Sequence, residues 1–328
     1  MDVKIPFYEE EKDNIRCKIC PHNCIIAENK FGVCRVRTVK SNSPVAVNYG
    51  EVTSMAVDPI EKKPLYHFKP SKEILSIGSF GCNMTCSFCQ NYEISQGKPK
   101  TQYVNIEKLL DIIKKLENNA GIAFTYNEPF MWYEYMYDTA KSIKENYSDT
   151  NVVVVTNGYI NEEPLMKLLP YVDAMNIDLK GYTNRYYNNI CGAKLEPVLE
   201  TIKRCNDHCH VEITTLLVSE ENDSIEEARQ IAEFIASVNE NIPLHLSRYF
   251  PRYKMENEAT KVEIIKEAQN EAKKYLKYVY IGNVQGVDNN TYCPKCNELL
   301  IERSGYYTKV FMKDNKCEKC GEIINIII

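Results

Sequence analysis

The sequence SFGCNMTCSFCQN, residues 79–91, follows a short apolar run at 74–77 that predicts a strand. It holds Cys82, Cys86 and Cys89 at C-x3-C-x2-C spacing, so a turn after the strand can direct three thiolates into one small volume. An iron–sulfur cubane usually takes four cysteines for its four irons, so three cysteines leave one iron open to another molecule. Zinc sites usually use paired C-x2-C arms, and this stretch has no second arm nearby. The spacing therefore favours a 4Fe-4S cluster with one open iron.

The chain after Glu73 alternates short apolar runs with longer stretches of helical periodicity, which is typical of repeated βα units and a parallel sheet. Ser224 and Glu227 form a capping box that predicts the start of one helix. Six or seven such units fit a partial (βα)6 TIM-like barrel, and a doubly wound open sheet shows the same alternation. The predicted class is α/β in either case. The predicted strands are 74–77, 121–125, 151–156, 174–179, 211–218, 244–249 and 278–281.

Polar residues recur where these predicted strands end. Both architectures place their chemistry at the carboxyl ends of parallel strands. We therefore expect one site to be formed by the cysteine loop after the first strand together with Asn127, Glu128, Thr156, Asn157, Asp178, Lys180 and His245.

A second cysteine set lies near the N-terminus and comprises Cys17, Cys20, Cys24 and Cys34, with C-x2-C-x3-C-x9-C spacing. Four thiolates can close a tetrahedral zinc site or a second iron–sulfur cluster, and the spacing does not choose between them. A closed structural metal is favoured over a redox-active one, because metals commonly hold small appendages together. Residues 1–70 are predicted to form this cysteine-rich extension.

A third set comprises Cys293, Cys296, Cys317 and Cys320, in two C-x2-C arms separated by twenty residues. Paired arms at this separation predict a zinc ribbon with strands over 299–301 and 308–311, and a rubredoxin-type iron is the alternative. The predicted domains are thus the extension, a core at 71–288 and a ribbon-like tail at 289–328.

Composition limits the classes of function. A chain of 328 residues with 44% hydrophobic residues can bury one large core and carry small appendages. The net charge of -5 and the lack of a basic block argue against a nucleic-acid partner without excluding one. No apolar run is long enough for a membrane helix, so a cytoplasmic location is predicted. The fourteen cysteines fall mostly in short-spaced sets, which favours metal ligation over disulfides.

The C-x3-C-x2-C motif with Phe88 before its last cysteine resembles the radical S-adenosylmethionine (SAM) superfamily. Further segments resemble one subfamily nearly end to end, the radical SAM enzyme of the AmmeMemoRadiSam system, which is similar to pyruvate formate-lyase activating enzymes. The resemblance implies a radical SAM barrel, a 4Fe-4S cluster and SAM. It also implies a ferredoxin-type or flavodoxin-type electron donor, and Ammecr-type and Memo-type partner proteins. The segments are 16–24, 125–129, 176–180, 245–249 and the terminal cysteine pairs.

The resemblance also implies roles for residues of the cysteine loop's surroundings. Asn127 and Glu128 stand where activating enzymes carry a Gly-Gly-Glu stretch that holds the methionyl ammonium of SAM. Thr156 and Asn157 resemble the end of an Asp-Thr-Asn-Gly stretch, with Val155 in place of the aspartate.

The roles of the remaining candidate residues are inferred from the resemblance together with simple geometry. Asp178 and Lys180 match the family's Asp-Leu-Lys and point the same way from a strand, towards the ribose and carboxylate of SAM. Phe88 is expected to pack against adenine. His245 is a candidate cofactor or substrate contact, with a core histidine as the alternative. Cys191 is a candidate hydrogen donor or ligand, although the inert reading is favoured because free cysteines are commonly buried.

The predicted function is reductive cleavage of SAM to methionine and a 5'-deoxyadenosyl radical, which abstracts hydrogen from a substrate that the sequence does not identify. One branch is glycyl-radical activation of a partner protein, and the other is radical modification of RNA, a peptide or a small molecule. A rival from another class is a zinc-dependent nucleic-acid-binding or scaffold protein in which all three cysteine sets are structural.

Overall fold

A computed structural model describes residues 2–147 and 149–328. The region before the main sheet consists of short antiparallel strands, which are β1 (Val3–Lys4), β2 (Tyr8–Glu11), β3 (Asn14–Cys17), β4 (Ile25–Ile26), β5 (Arg37–Lys40), β6 (Ser43–Ala46) and β7 (Glu51–Val52). The first six form two small sheets, with the orders β2-β3-β4 and β1-β6-β5. The first N-terminal cysteine lies at the end of β3, so the β2–β3–β4 sheet positions that cysteine set.

One larger sheet organises the rest of the chain. The next strands are β8 (Ser54–Pro59), β9 (Glu73–Gly78), β10 (Gln102–Tyr103), β11 (Asn119–Phe124), β12 (Asn151–Thr156), β13 (Ala174–Asp178), β14 (His210–Leu217), β15 (Leu244–Arg248) and β16 (Val279–Gly282). All except β10, which pairs with β7, belong to an eight-stranded sheet of order β16-β15-β14-β13-β12-β11-β9-β8. Strand β8 is antiparallel to β9, and the other neighbours are parallel.

The strand order supports the α/β prediction and narrows it. From β9 to β16 the order follows the chain, so the sheet lacks the reversal that defines a doubly wound sheet. All seven predicted strands are confirmed, with ends within two residues of the prediction. The sheet nevertheless begins at Ser54, inside the range 1–70 that the sequence assigned to the extension, because β8 pairs with β9 along its whole length.

The helices are α1 (Tyr92–Ser95), α2 (Ile106–Lys115), α3 (Tyr133–Asn146), α4 (Glu162–Leu168), α5 (Asn184–Tyr186), α6 (Leu195–Asn206), α7 (Ile225–Asn239) and α8 (Val262–Ala272). Helix α7 begins where the capping box predicts, since the Ser224 side chain accepts a hydrogen bond from the Glu227 N–H. A π-helical turn at Tyr187–Cys191 follows α5. Within the described residues, no helix is both long and apolar enough to cross a bilayer.

The segment between β8 and β9 packs against one face of the main sheet. Its Ile60, Leu65 and Phe68 are buried against small or branched residues of the strands, including Ala123 and Val153. This packing fills the interior between the strands, while the carboxyl ends of the parallel strands remain lined by polar side chains around a cavity.

The C-terminal residues form a small antiparallel sheet of β17 (Thr291–Tyr292), β18 (Leu299–Ser304) and β19 (Tyr307–Val310). Both predicted strands of the tail, 299–301 and 308–311, overlap observed strands, and these pair antiparallel. Leu300 and Ile301 pack with Tyr278 and Tyr280 at the edge of the main sheet, so the tail shares a core with the last βα unit.

Candidate active site

The carboxyl ends of β9, β11, β12 and β13 surround a cavity of about 370 Å³. Cavities of this size hold small-molecule ligands in other proteins. The lining includes the three cysteines of the 79–91 loop. It also includes seven of the eight residues predicted to contact SAM, which are Phe88, Asn127, Glu128, Thr156, Asn157, Asp178 and Lys180. The structure therefore brings these predicted site residues together, with the exception of His245.

The sulfurs of Cys82, Cys86 and Cys89 are not gathered as closely as one metal ion requires. In the described residues, only the C-terminal set brings three or more ligand atoms within 4.8 Å of one another. A tetrahedral zinc with Zn–S bonds of about 2.3 Å needs its sulfurs that close, whereas a cubane is larger and needs them further apart. The donor set of the loop therefore fits a 4Fe-4S cluster.

Backbone and side-chain N–H groups face one of these sulfurs. The Met84 N–H lies 3.3 Å from Cys82 Sγ and the Asn157 Nδ2 lies 3.7 Å from the same atom. Hydrogen bonds to the sulfurs are one of the means by which a protein sets the reduction potential of a cluster. Asn157, which was predicted as a SAM contact, thus also contacts the Cys82 sulfur.

Burial opposes the ionisation of two of the three thiols before a metal binds. Burial raises the pKa of Cys82 well above the ordinary thiol value, and burial also raises the pKa of Cys89. The pKa of Cys86 is lowered, chiefly by a hydrogen bond with Cys191. Metals bind thiolates, so assembly of a cluster here would release protons.

Asn127 braces the base of the cysteine loop. Its Oδ1 accepts a hydrogen bond from the Ser79 N–H at 2.9 Å, and its Nδ2 donates to the Gly81 carbonyl at 3.0 Å. Gly81 needs its small size and its φ of +89°, because a Cβ there would lie 2.7 Å from the Cys34 carbonyl. Asn127 therefore positions the loop that carries the three cysteines.

Glu128 joins the ends of two strands. Its Oε1 accepts hydrogen bonds from the Phe130 N–H and the Thr156 hydroxyl, and its Oε2 accepts one from the Asn157 N–H at 2.8 Å. Burial raises the pKa of Glu128 to about 7 against the effect of these donors. A carboxylate has about four lone-pair sites, so three donors leave room for one more, such as an ammonium.

Asp178 and Lys180 form an ion pair, with Lys180 Nζ 2.8 Å from Asp178 Oδ2. The pKa of Lys180 is raised well above its ordinary value, because Asp178 and Cys86 outweigh the opposing effect of burial. The ammonium also lies 5.9 Å from the centroid of the Phe88 ring, which itself stacks with Tyr186. Lys180 thus stays cationic beside the cysteine loop.

Cys191 lies behind the loop rather than in the cavity. It is fully buried, its thiol hydrogen-bonds Cys86, and its carbonyl accepts a hydrogen bond from the Thr85 N–H at 2.8 Å. The neighbouring Ile190 carbonyl accepts from the Ser87 N–H. The π-helical turn therefore supports the cluster loop from one side.

His245 lies away from the cavity. Its Nε2 is 2.6 Å from Glu212 Oε2, and its ring packs on Tyr66 and Tyr280. The other Glu212 oxygen contacts His210 at 3.0 Å. His245 lies in the first half of β15, whereas the cavity lies at the carboxyl ends of the strands. A sequence motif does not specify this position along the strand.

Sequence reasoning missed other cavity residues. Lys63 and Tyr126 line the cavity, and Asp58 holds Lys63 Nζ at 2.9 Å and accepts from the Tyr126 hydroxyl. Lys63 comes before the first predicted strand, so the search for polar residues at strand ends did not identify it. Tyr126 has a φ of +74°, which is unusual for an aromatic residue and has no sequence marker.

The two outer cysteine sets differ in geometry. In the C-terminal set, Cys293 and Cys320 have sulfurs 3.6 Å apart, as do Cys296 and Cys317. This is the spacing of a tetrahedral four-thiolate ion site. The N-terminal set surrounds a small cavity together with Arg37 and Met131, and its sulfurs are less tightly gathered.

Comparison with known proteins identifies the class. The sequence model of the Radical SAM superfamily matches residues 76–235. An uncharacterized protein of Methanocaldococcus jannaschii is 44% identical, with 98% of each chain covered. The chain therefore belongs to the radical SAM superfamily. It is an enzyme of that superfamily, whose members use a 4Fe-4S cluster and SAM.

Two further relatives show which members it is similar to. The pyruvate formate-lyase-activating enzyme of Clostridium pasteurianum is 26% identical, over 60% of this chain and 87% of that protein. A crystal structure of a radical SAM methyltransferase from Sphaerobacter thermophilus covers 65% of this chain and 66% of its own, with a TM-score of 0.53 and 14% identity. The first relationship is homology to activating enzymes, and the second shows a shared fold.

Proposed function

We propose that the protein binds a 4Fe-4S cluster through Cys82, Cys86 and Cys89, cleaves SAM reductively and abstracts a hydrogen atom from its substrate. The single observation that supports this most is the convergence of three widely spaced thiols and the strand-end polar groups on one cavity. When bound, the cluster and SAM supply the one-electron cleavage of the sulfonium to methionine and a 5'-deoxyadenosyl radical.

The chain's own residues bind and orient SAM in this proposal. Glu128 offers its remaining acceptor position to the ammonium, and the ion pair of Asp178 and Lys180 offers one charge to the ribose hydroxyls and the other to the carboxylate. Phe88 presents an apolar face to adenine. Asn127 holds the cysteine loop in place. Thr156 and Asn157 hold the carboxylate of Glu128 in place. His245 has no part in this site.

The proposal also covers the domains and the other two metal sites. The core, predicted at 71–288 and extended by β8, folds as a partial (βα)6 TIM-like barrel, and the tail at 289–328 is a zinc ribbon closed by its four cysteines. The 3.6 Å sulfur contacts support zinc there. The N-terminal cysteines bind a metal centre that joins the extension to the core.

The reaction branch that we favour is glycyl-radical activation of a partner protein. Homology to an activating enzyme over 60% of this chain supports it. The AmmeMemoRadiSam resemblance makes Ammecr-type and Memo-type proteins the first partners to test, and a ferredoxin-type or flavodoxin-type protein would supply the electron. Radical modification of RNA, a peptide or a small molecule is the alternative outcome of a substrate screen.

Anaerobic turnover tests the proposal. Protein reconstituted with iron and sulfide should convert SAM to 5'-deoxyadenosine and methionine when dithionite is added, and Cys86→Ala should form neither. Cys209→Ala is the matched control, because that thiol donates to the Cys205 carbonyl, does not line the cavity, and its loss should leave turnover unchanged. Equal 5'-deoxyadenosine from Cys86→Ala, or colourless wild-type protein with about three zinc ions, would reject the proposal in favour of structural zinc.

A further inference from the structure

The N-terminal cysteines form a closed site that the proposed reaction does not use. Cys17, Cys20 and Cys34 are buried, and Cys24 is partly exposed. All four line one small cavity with apolar walls that include Ile19 and Ile26. Ile25, directly after Cys24, is 54% exposed, so the site reaches the surface on that side.

The sulfurs of this set are gathered less closely than those of the ribbon. Among the described residues, which include every cysteine of the N-terminal set, only the ribbon brings three or more ligand atoms within 4.8 Å of one another. One zinc ion needs sulfurs that close, whereas a cubane needs them further apart. The N-terminal set offers four thiols that are not gathered for one ion, enough to close all four irons of a cubane.

A buried cation lies in the same cavity with one donor unused. Arg37 is 1% exposed and lines the cavity beside the thiols. Its Nη1 and Nη2 bind Glu134 at 2.6 and 3.0 Å, while its Nε has no hydrogen-bond partner. A buried N–H without a partner costs free energy unless a ligand accepts its proton. The thiolates and sulfides of an anionic cluster are such acceptors.

The N-terminal site is in contact with the cluster loop through Asn83. His22, which lies between Cys20 and Cys24, donates from Nε2 to the Asn83 carbonyl at 2.7 Å. The Asn83 side chain accepts from Asn157 Nδ2 at 3.0 Å, and that same nitrogen contacts Cys82 Sγ. Asn83 is also the residue next to Cys82 in the chain. On the other side of the loop, Gly81 packs directly on the Cys34 carbonyl.

We propose that Cys17, Cys20, Cys24 and Cys34 bind a second 4Fe-4S cluster that relays single electrons through Asn83 to the cluster at Cys82, Cys86 and Cys89. The relay, but not the second cluster itself, rests on the proposed function. A low-potential one-electron donor protein loses one electron to the N-terminal cluster. That cluster then passes the electron to the SAM-binding cluster and returns to its oxidised state, with no bond formed or broken. The geometry thus favours iron and sulfide over the closed structural metal that the role of metals in small appendages favoured.

Reciprocal cysteine variants test the metal. The triple variant Cys82→Ala, Cys86→Ala, Cys89→Ala should retain about four irons and four sulfides per chain and give a reduced-cluster electron paramagnetic resonance (EPR) signal that SAM does not change. Zinc in place of that iron overturns the inference. The quadruple variant of the N-terminal set should retain about four irons whose signal SAM does change. Absence of that SAM-sensitive signal counts against the proposed function alone. Failure of the second cluster and failure of the proposed function are therefore distinguishable.

A single substitution tests the relay. After mixing with a reduced flavodoxin-type donor and SAM, freeze-quenched wild-type protein should show the SAM-insensitive signal first and the SAM-sensitive signal second. Asn83→Leu should keep both clusters and lose the fast second phase. Asn161→Leu is the matched control, because Asn161 Nδ2 bonds the Lys18 carbonyl and Asn23 at the same interface without contacting a cysteine. A wild-type second phase in Asn83→Leu, or an equal loss in both variants, would overturn the relay.

Discussion

Replacement of Asn127 by leucine should loosen the cluster without removing any ligand. The substitution keeps the side-chain volume but leaves the Ser79 N–H and the Gly81 carbonyl without their partners at 2.9 and 3.0 Å. Each buried orphaned group costs about 1–3 kcal/mol, so the loop should be destabilised by about 3 kcal/mol in total. The change acts locally, on the equilibrium between a closed and an open cysteine loop.

The release of iron to a chelator measures this equilibrium. A cost of about 3 kcal/mol corresponds to about a hundredfold larger open population, so the cluster that SAM contacts should lose iron up to about a hundred times faster. Asn289→Leu is the matched control, since Asn289 bonds the Ile281 N–H and carbonyl at 2.9 and 2.7 Å, away from the cysteine loop. That variant should lose stability but release iron at the wild-type rate. Equal release rates in Asn127→Leu and wild type would refute the bracing role.

Three further outcomes follow from the structure. Cys191→Ala should keep full iron content and SAM cleavage because Cys191 lies outside the cavity lining, and loss of about one cubane per chain would show that it is a ligand. Cys317→Ser should lower the zinc content by about one ion per chain and expose residues 289–328 to protease, and unchanged zinc by elemental analysis would contradict the ribbon. Burial lowers the pKa of His67 from 6.5 to about 3, so the native state binds fewer protons than the unfolded one and stability falls as pH falls below 6.5. Between pH 7 and pH 5 wild type should lose about 2 kcal/mol of unfolding free energy more than His67→Gln in urea titrations, and parallel curves for the two proteins would disprove this.

The part of the fold that repeats was predictable from the sequence. The apolar run at 152–155 is continuous because its strand is buried on both faces, so β12 was found residue by residue. Strand β8 was assigned to the extension because it is an edge strand whose side chains are mostly half-exposed, including Met55 and Val57. Its pairing with β9 depends on tertiary contacts that a local pattern does not contain.

The site was predictable where the end of a strand fixes the direction of the side chains. Asp178 and Lys180 point together because side chains on an extended segment repeat every two residues. His245 carried a family motif, yet its depth along β15 places it against Glu212 instead of the cavity. Lys63 and Asn83 were not predicted, because their roles depend on tertiary contacts with Asp58 and with His22.

The central claim is that three protein thiolates hold a cubane whose remaining iron takes SAM. Mössbauer spectroscopy of anaerobic protein loaded with the iron-57 isotope tests it most directly. Addition of SAM should change the parameters of a single iron site of the cluster at Cys82, Cys86 and Cys89 while its other irons keep theirs. A spectrum that SAM leaves unchanged, because a fourth side chain or a zinc ion fills that position, would contradict the account.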